Sequence, residues 1–513
     1  MKKNNLVVAS IIMLVFSIIS KVSGFLREMT FAYFYGASNV TDAYVAATTI
    51  SVSIFAGITV AVSTGYIPSI STINREKVSK TTSNIINTVI VLIMAISILG
   101  VLFAEQLIPL YAVDFTEETK LIAANMTRII LPFSFLYVTY NVLNGYMQIQ
   151  NVFWTVGVAT VINNFVNMIT FAISRGNTSI LAYGYALSWV LPSVFLVIVA
   201  KTKGFKYSPV LKPNDEVIKH IVRMGVPIFF GQLIFQFNSI VDKNFASMLG
   251  EGVMTIMKYA NQLILFVTTI FVVSIVTAIY PTLAKLSNSG DFDEYKKISS
   301  TSMNTVLLLV IPVSVAFFML ANQIVEIAFL RGEFSVDDAK ITSQALMAYS
   351  LGLPAISLNE ILNKQFYSLK DTKTPVLSNA VSLCVNIVFN FALISVLKHV
   401  GLALATSLAN TVLACILYYR LQKKIGNLGT TRLLKNIVKI SFSALIMGAV
   451  VYFVLNFVSV YTNSLGNTGN IIEIISAALI GAPIYFVLVN IFKVEELNVA
   501  INFVKTKISR KKA

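Results

Sequence analysis

Residues 21–44 read KVSGFLREMTFAYFYGASNVTDAY, and this stretch decides how the chain folds. A long apolar helix is predicted up to this point, and it places Lys21, Arg27 and Glu28 at membrane depth. Each ionisable group at the centre of a bilayer costs about 3 kcal/mol on insertion scales, so such groups face protein, water or a charged ligand. Lys21 and Glu28 share one helix face, because they are seven residues apart, and Arg27 lies about 100° around the helix. The stretch therefore predicts charges that are kept inside a membrane.

The same stretch contains a predicted helix boundary. The Gly-Ala-Ser segment at 36–38 interrupts the helix, and Thr41-Asp42 is predicted to cap the start of the next one. Two membrane-spanning helices joined by a tight connection are expected here.

The composition agrees with a polytopic membrane protein. Of the 513 residues, 56% are hydrophobic and 12% are charged, and the mean hydropathy is +0.78. Cys384 and Cys415 lie inside apolar segments and are predicted to be packing residues rather than a disulfide. We count fourteen apolar spans, at roughly 6–35, 42–71, 84–110, 119–148, 153–174, 179–200, 218–247, 253–284, 299–321, 337–367, 375–397, 401–421, 433–460 and 470–492.

The net charge of +16 is distributed unevenly across these spans. With the N-terminus in the cytoplasm, most of the basic residues fall on the inner side, which predicts that both termini are cytoplasmic. This placement favours anionic lipid headgroups as the partner and argues against nucleic acid. Five basic residues fall in the predicted outer loops: Lys120, Arg175, Arg331, Lys340 and Lys398.

The two halves of the sequence repeat. Arg27-Glu28 followed by FAYFYG matches Asp242-Lys243 followed by FASMLG. Each repeat has six spans, an even number, so the halves are predicted to be parallel repeats. The predicted domains are a first lobe over 1–212, a second lobe over 213–425, and a hairpin of spans 13 and 14 with a basic cytoplasmic tail over 426–513.

Chemistry that would indicate an enzyme is missing from the sequence. It contains no P-loop, no GxGxxG after a strand, no HExxH and no CxxC, and no loop is long enough for a nucleotide-hydrolysing domain. Transport driven by an ion gradient or by the membrane potential is the expected class.

A polar stripe on span 11 has two interpretations. Asn379, Ser382, Asn386 and Asn390 recur on one helix face. They either form interhelical hydrogen bonds, as the similar pair of asparagines in span 5 suggests, or they contribute to a cation site to which Asp242 supplies the charge.

Three stretches resemble the lipid II flippase family (MurJ/MviN) of the multidrug/oligosaccharidyl-lipid/polysaccharide exporter superfamily. They are SKVSGFLRE with GASNVTDAY, then VDKNFASMLGEGVMTIMKYANQL, and FYSLKDTKTPV at 366–376. The resemblance covers essentially the whole chain. It implies two six-helix lobes in a V shape around a cationic cavity, with a groove near spans 13 and 14 for a polyprenyl tail.

The resemblance also implies a substrate-binding set. Lys21 and Arg27 fall on two basic positions of the family, Glu28 on an acidic position, and Asp42 on the aspartate after the first loop. The chain departs from the family in two places. Span 2 lacks basic residues, and the basic position of span 8 is Gln262, for which Lys258, one turn earlier, is a candidate replacement.

Some family members resemble sodium-coupled transporters, which implies a cation site in the second lobe. The positions that match its ligands are Asp242, Asn386, Asn390, the Leu402 carbonyl and Thr406. Sodium is the expected coupling ion, and proton uptake by Asp242 is the alternative.

The function implied is that of a monomeric flippase in the bacterial cell membrane, without a cofactor, that moves undecaprenyl-diphosphate-linked disaccharide pentapeptide outward. Two alternatives stay open: an exporter of another polyprenyl-diphosphate oligosaccharide, and a scaffold that recruits cell-wall synthesis proteins without transporting anything. The second would explain the basic loops but not Lys21 and Arg27.

Overall fold

The computed structural model describes residues 3–70 and 73–497, and these residues form helices without a strand. The predicted all-α fold is thereby confirmed, while the predicted basic tail at 498–513 lies outside the described residues. The helices are α1 Lys3–Tyr35, α2 Asn39–Ile70, α3 Arg75–Leu102, α4 Ala104–Tyr111, α5 Glu117–Ile130, α6 Ser134–Ile149, α7 Trp154–Ser174, α8 Thr178–Thr202, α9 Glu216–Ser247, α10 Val253–Val267, α11 Ser274–Ser289, α12 Phe292–Met319, α13 Ala321–Phe329, α14 Val336–Ser368, α15 Lys373–Ile425, α16 Thr430–Thr462 and α17 Asn467–Ile491.

Eleven helical stretches in the described part of the chain are long and apolar enough to cross a membrane. One of them, α15, contains the predicted spans 11 and 12, with non-helical backbone at Lys398 between them. The predicted spans 1 and 7 lie in α1 and α9, which are not among the eleven. The number fourteen therefore stays a prediction.

The chain divides into two compact units. The first unit contains Met1–Thr255 and Arg331–Ser335, and the second contains Ile256–Leu330 and Val336–Ala513. This grouping places α9 in the first unit, whereas the sequence repeat assigns span 7 to the second lobe. Within the first unit α9 packs along α2, and the Ser53 hydroxyl donates to Gln236 Oε1 at 3.0 Å. The sequence repeat predicts a boundary between residues 212 and 213, whereas helix packing groups the chain up to Thr255 in the first unit.

Small residues let helices of each unit approach closely. A Cβ added to Gly225 of α9 would lie 2.8 Å from Ala61 Cβ of α2, and one added to Gly352 of α14 would lie 2.7 Å from Ser407 Cα of α15. Close backbone approach is the usual basis of helix association in membranes, where apolar side chains gain little by leaving lipid. These contacts fix the helices that hold the polar residues described below.

Helices α16 and α17 pack on each other, as predicted for the added hairpin, and α16 packs on α12 within the second unit. Buried carboxylates fasten both ends of the hairpin. Glu473 accepts hydrogen bonds from Gln323 at 2.8 Å and from Thr462 at 2.5 Å. Glu496 pairs with Arg432 at 2.8 Å and accepts from Asn436 at 3.0 Å. The hairpin is therefore a fixed part of the second unit.

Two local predictions were wrong. Cys384 and Cys415 are free thiols, as expected, but both are exposed on the surface of α15 and so are not packing residues. Helix α2 begins at Asn39, earlier than the predicted cap at Thr41-Asp42. The Ser38 amide donates to the Thr41 hydroxyl at 2.8 Å, so Ser38 and Thr41 form the turn and leave Asp42 available for a different contact.

Candidate functional site

Arg27 of α1 lies in a polar cluster inside the first unit. Its Nη2 pairs with Glu28 Oε1 at 2.6 Å, and its Nη1 donates to Asn164 Oδ1 of α7 at 3.2 Å. The side chain of Arg27 is 31% exposed, while that of Glu28 is 3% exposed. The carboxylate therefore stabilises the guanidinium from the protein side, and part of the Arg27 side chain stays exposed.

Asn164 is the residue of this cluster that the sequence analysis missed. Its Oδ1 accepts from Arg27, and its Nδ2 donates to the Ser23 hydroxyl at 2.9 Å. The amide thus connects α7 with two positions of α1 and orients the guanidinium. The sequence contained a signal, because Asn164 follows Asn163 in a predicted membrane span, but only the tertiary fold shows that it faces Arg27.

Lys21 lies two turns before Arg27 on α1 and is exposed. No ion pair involves it among the residues that the structure describes. Aromatic side chains surround the neighbouring part of the unit: Phe31 packs on Tyr44 with ring centroids 4.9 Å apart, and Tyr44 meets Tyr185 edge-on at 5.9 Å. These rings form an aromatic cluster that joins α1, α2 and α8.

Asp42 makes contacts that differ from those expected of a substrate ligand. Its carboxylate accepts hydrogen bonds from the Gly252 amide at 2.8 Å, the Thr255 amide at 2.9 Å and the Thr255 hydroxyl at 2.6 Å. It is 1% exposed. Because these donors belong to the first turn of α10 and the residue before it, Asp42 caps a helix N-terminus from another helix. In this conformation the carboxylate is not available to a substrate.

Lys258 and Gln262 lie one turn apart on α10, in the part of that helix that belongs to the second unit, and both are half-buried. Their spacing places them on one helix face, as predicted. The idea that Lys258 replaces a basic residue at position 262 stays a prediction.

The predicted cation ligands of the second unit lie together. Asn390 Nδ2 donates to Asn386 Oδ1 at 2.9 Å, Asn386 Nδ2 donates to the Thr406 hydroxyl at 3.4 Å, and that hydroxyl donates to the Leu402 carbonyl at 3.2 Å. Both asparagines are at most 1% exposed. These oxygen-bearing groups form one continuous chain of hydrogen bonds, which we call the second-unit amide cluster.

Asp242, the charged member of the predicted cation site, lies on α9 in the first unit and is half-buried. Its neighbour Lys243 donates to the Thr49 hydroxyl at 2.7 Å and to the Ser239 hydroxyl at 3.2 Å. Hydroxyls thus solvate the ammonium, and adjacent residues of a helix point about 100° apart, so Lys243 and Asp242 face different directions.

A matching amide pair occurs in the first unit. Asn167 Nδ2 donates to the Asn163 carbonyl at 2.9 Å, and Asn163 Nδ2 donates to the Ser188 hydroxyl of α8 at 3.0 Å. In both units an asparagine four residues after another donates back to it, and the earlier one reaches a hydroxyl on the next span. This duplication supports the interpretation of the stripe as interhelical hydrogen bonding.

The stretch FYSLKDTKTPV also has a structural explanation. Asp371 accepts from the Thr374 amide at 3.0 Å and the Thr374 hydroxyl at 2.9 Å, so it caps the start of α15. Its carboxylate also pairs with Lys424, near the end of the same helix, at 2.5 Å. Hydrogen bonding to the Lys424 ammonium and to Thr374 lowers the pKa of Asp371, although desolvation opposes the shift. The motif therefore joins the two ends of a broken helix.

A solved transporter has the same fold. The inward-facing conformation of a multidrug resistance MATE family transporter of the MOP superfamily matches with a TM-score of 0.68 at 17% identity, over 82% of this chain and 99% of that chain. The fold, together with charged groups held on apolar helices, defines the class: a multi-pass membrane transporter rather than an enzyme. The family model described as "Lipid II flippase MurJ" matches residues 31–468. The chain belongs to the lipid II flippase MurJ family.

Individual relatives agree over most of the chain. A solved lipid II flippase MurJ in an inward closed conformation has a TM-score of 0.80 and 26% identity, over 94% of this chain and 99% of that chain. The "Probable lipid II flippase MurJ" of Buchnera aphidicola subsp. Baizongia pistaciae is 27% identical over 84% of this chain and 86% of its own length. The "Lipid II flippase MurJ" of Burkholderia cenocepacia is 25% identical over 80% and 82%, respectively. The resemblance predicted from the sequence is confirmed, and the protein is a multi-pass inner-membrane protein.

Proposed function

We propose that this protein moves lipid II, the undecaprenyl-diphosphate-linked disaccharide pentapeptide used for peptidoglycan synthesis, from the inner to the outer leaflet. The observation that carries the proposal is the partly exposed Arg27, fixed by Glu28 and Asn164 on an otherwise apolar helix. The membership of the chain in the lipid II flippase family supports the choice of substrate.

The guanidinium has the chemistry to bind a diphosphate. Arginine carries five N–H donors in a planar fork, and the contacts with Glu28 and Asn164 use only two of its nitrogens. The remaining donors can form a charge-assisted pair with phosphate oxygens in surroundings of low dielectric constant. Lys21 adds a second cation on the same helix. Glu28 keeps the empty site close to neutral, which lowers the cost of holding Arg27 at membrane depth.

Alternating access is the transport mechanism we propose. MATE family transporters that share this fold have been solved in inward-facing and outward-facing conformations, which supports a rocking movement around a site near the membrane midplane. Both termini are placed in the cytoplasm, because this orientation puts most basic loops on the side where anionic headgroups attract them.

Sodium coupling through the second-unit amide cluster is the proposed driving mechanism. Asp242 would supply the charge, and Asn386, Asn390, Thr406 and the Leu402 carbonyl would supply neutral oxygens. The Asn386 oxygen accepts from Asn390 in the present conformation. An amide oxygen has two lone pairs, so the Asn386 oxygen can coordinate an ion and keep this hydrogen bond.

Complementation is the direct test. The full chain is expressed in a strain depleted of its own lipid II flippase, and membrane expression is measured in parallel. Growth with normal cell shape supports the proposed substrate. The uncharged span 2 and Gln262 favour a second candidate, the export of another polyprenyl-diphosphate oligosaccharide. Absence of growth despite normal membrane expression would favour that candidate or a scaffold without transport activity.

A further inference from the structure

A cavity of about 520 Å³ opens on the surface of the second unit, where the end of α12, the first half of α14 and the break in α15 meet. Its walls are mainly apolar and include Phe318, Met347, Leu351 and Leu404. The volume is within the range of ligand sites. None of the groups discussed above, neither the Arg27 cluster nor the amide cluster, lines this cavity.

One end of the cavity is polar and basic. Gln344, Lys398 and His399 contribute to its lining. His399 Nε2 and Gln344 Oε1 are 2.8 Å apart, so the imidazole donates from Nε2 and the orientation of the ring is fixed. Lys398 is exposed, and no ion pair involves it in the part of the chain that the structure describes. The cavity therefore combines apolar walls with a cation whose counter-charge is not supplied by those residues.

The backbone at Lys398 is strained. Its φ is 49° and its ψ is −128°, values that a residue with a Cβ adopts at a cost. Glycine would adopt them with little strain. A turn between two spans that needs only this geometry would be served better by glycine. A non-glycine residue held in this conformation points to a role for its side chain.

We propose that this cavity binds the phosphate of a lipid, with Lys398 at the phosphate and the apolar walls along the hydrocarbon chain. Lysine is a common phosphate ligand, and Lys398 is one of only five basic residues in the predicted outer loops. Two sources offer this chemistry: an anionic phospholipid of the outer leaflet and, if the proposed function holds, the diphosphate of a polyprenyl lipid that has been moved outward. In either case the cavity is a lipid site separate from Arg27.

The experiment uses the purified full-length protein and native mass spectrometry. Phosphatidylglycerol, undecaprenyl diphosphate, phosphatidylcholine and inorganic phosphate are titrated separately. The variant Lys398→Gly removes the ammonium and relieves the strain, so its unfolding temperature should equal or exceed that of the wild type. We expect it to bind the anionic lipid about tenfold more weakly, the loss of one charge-assisted contact. Lys398→Arg should retain binding. Arg175→Gly, which removes a basic residue with a φ of 43° from an outer loop of the first unit, should leave binding unchanged.

The four titrations separate the sources of the ligand. Preference for phosphatidylglycerol supports a phospholipid site, and preference for undecaprenyl diphosphate supports a site for the transported lipid. Equal binding by wild type and Lys398→Gly, equal binding of phosphatidylcholine, or binding of inorganic phosphate as tight as that of the lipids would overturn the proposal. Complementation by the wild-type chain is measured separately, so failure of the proposed function leaves the phosphatidylglycerol result interpretable.

Discussion

The two units contain the same amide pair in different electrostatic surroundings. In the first unit Asn163 and Asn167 lie beside Asn164, which reaches the Arg27–Glu28 pair. In the second unit Asn386 and Asn390 lead to Thr406 and a backbone carbonyl, so the described chain of hydrogen bonds is made of neutral groups. The same kind of asparagine pair therefore lies near charged side chains in the first unit and among neutral groups in the second.

The two units also differ in how far their polar side chains are exposed. The Arg27 side chain remains 31% exposed, because complete burial of a guanidinium would cost more than one carboxylate returns. The asparagines of the second unit are at most 1% exposed, and Asn390 donates to Asn386. The first unit therefore holds a charged side chain at a partly exposed position, whereas the second unit encloses neutral amides.

Removal of the charge in the first unit should have the largest effect. Arg27→Ala is expected to abolish transport, measured by complementation and by lipid flipping in vesicles, because the bidentate contact with phosphate is lost. Arg27→Lys should recover part of the activity, since an ammonium keeps the charge without the fork. The matched control is Arg128→Ala. Arg128 also pairs with a glutamate, Glu105, at 2.7 Å, but that glutamate is 58% exposed.

A fold defect must be separated from a binding defect, because Arg27→Ala removes the guanidinium that pairs with the buried Glu28. Loss of one member of a buried ion pair costs about 3–5 kcal/mol. The double variant Arg27→Gln with Glu28→Gln removes both charges together. It should reach the membrane in normal amounts and still fail to transport. Normal transport by this double variant would show that the basic cluster is not the substrate site.

Glu28 and Asp42 are both buried carboxylates of the first unit, but Asp42 should contribute to stability rather than to transport. Glu28 faces Arg27, while Asp42 receives its three hydrogen bonds from Gly252 and Thr255 at the start of α10. Asp42→Ala should therefore lower the melting temperature by several degrees, corresponding to about 2–3 kcal/mol. The matched control is Asp215→Ala. Asp215 caps α9 through one bond to the Val217 amide, and its loss should cost about 1 kcal/mol.

The same variant tests the original interpretation of Asp42 as a substrate ligand. Transport per folded molecule should be close to that of the wild type. If Asp42→Ala unfolds at the wild-type temperature but transports poorly, the interpretation of Asp42 as a substrate ligand would be supported.

These contrasts also show what the sequence could predict. The charged groups of α1 were recognised because an ionisable residue in an apolar span needs a reason, and the break after Gly36 was recognised because glycine and serine end helices. The amide cluster was found from its helical spacing and from the family resemblance. Asn164 was missed, because it lies 137 residues from Arg27 along the chain and nothing in the local pattern distinguishes it from Asn163. The partners of Asp42 were missed for the same reason.

The addition of charge to the second unit should strengthen the proposed cation site. Asn390→Asp supplies a carboxylate within the amide cluster, and we expect about tenfold tighter sodium binding, or about 1.4 kcal/mol. Thermal unfolding at constant ionic strength, with sodium compared with potassium, measures the change. Asn386→Ala should remove sodium-specific stabilisation, and Asn379→Ala is the control, since Asn379 donates only to Pro375 of its own helix.

Two results would contradict sodium coupling. One is equal stabilisation by sodium and potassium in the wild type. The other is unchanged sodium stabilisation in Asn386→Ala and in Asp242→Asn. With either result, the amide cluster would serve only to hold helices together, as Asn163 and Asn167 do in the first unit. Proton uptake by Asp242 would then become the preferred coupling mechanism.

The smallest effect is expected at Lys258, where the second unit would contribute charge to the substrate. Position 258 precedes Gln262 by one turn, and a flexible lysine stem can place its ammonium near the volume that a basic residue at 262 would occupy. Lys258→Gln should lower transport several-fold rather than abolish it, since Arg27 remains. Adding Gln262→Arg to that variant should restore transport. If Lys258→Gln transports like the wild type, or if Gln262→Arg does not compensate, Lys258 has a structural role, and the positive charge that binds the substrate belongs to the first unit.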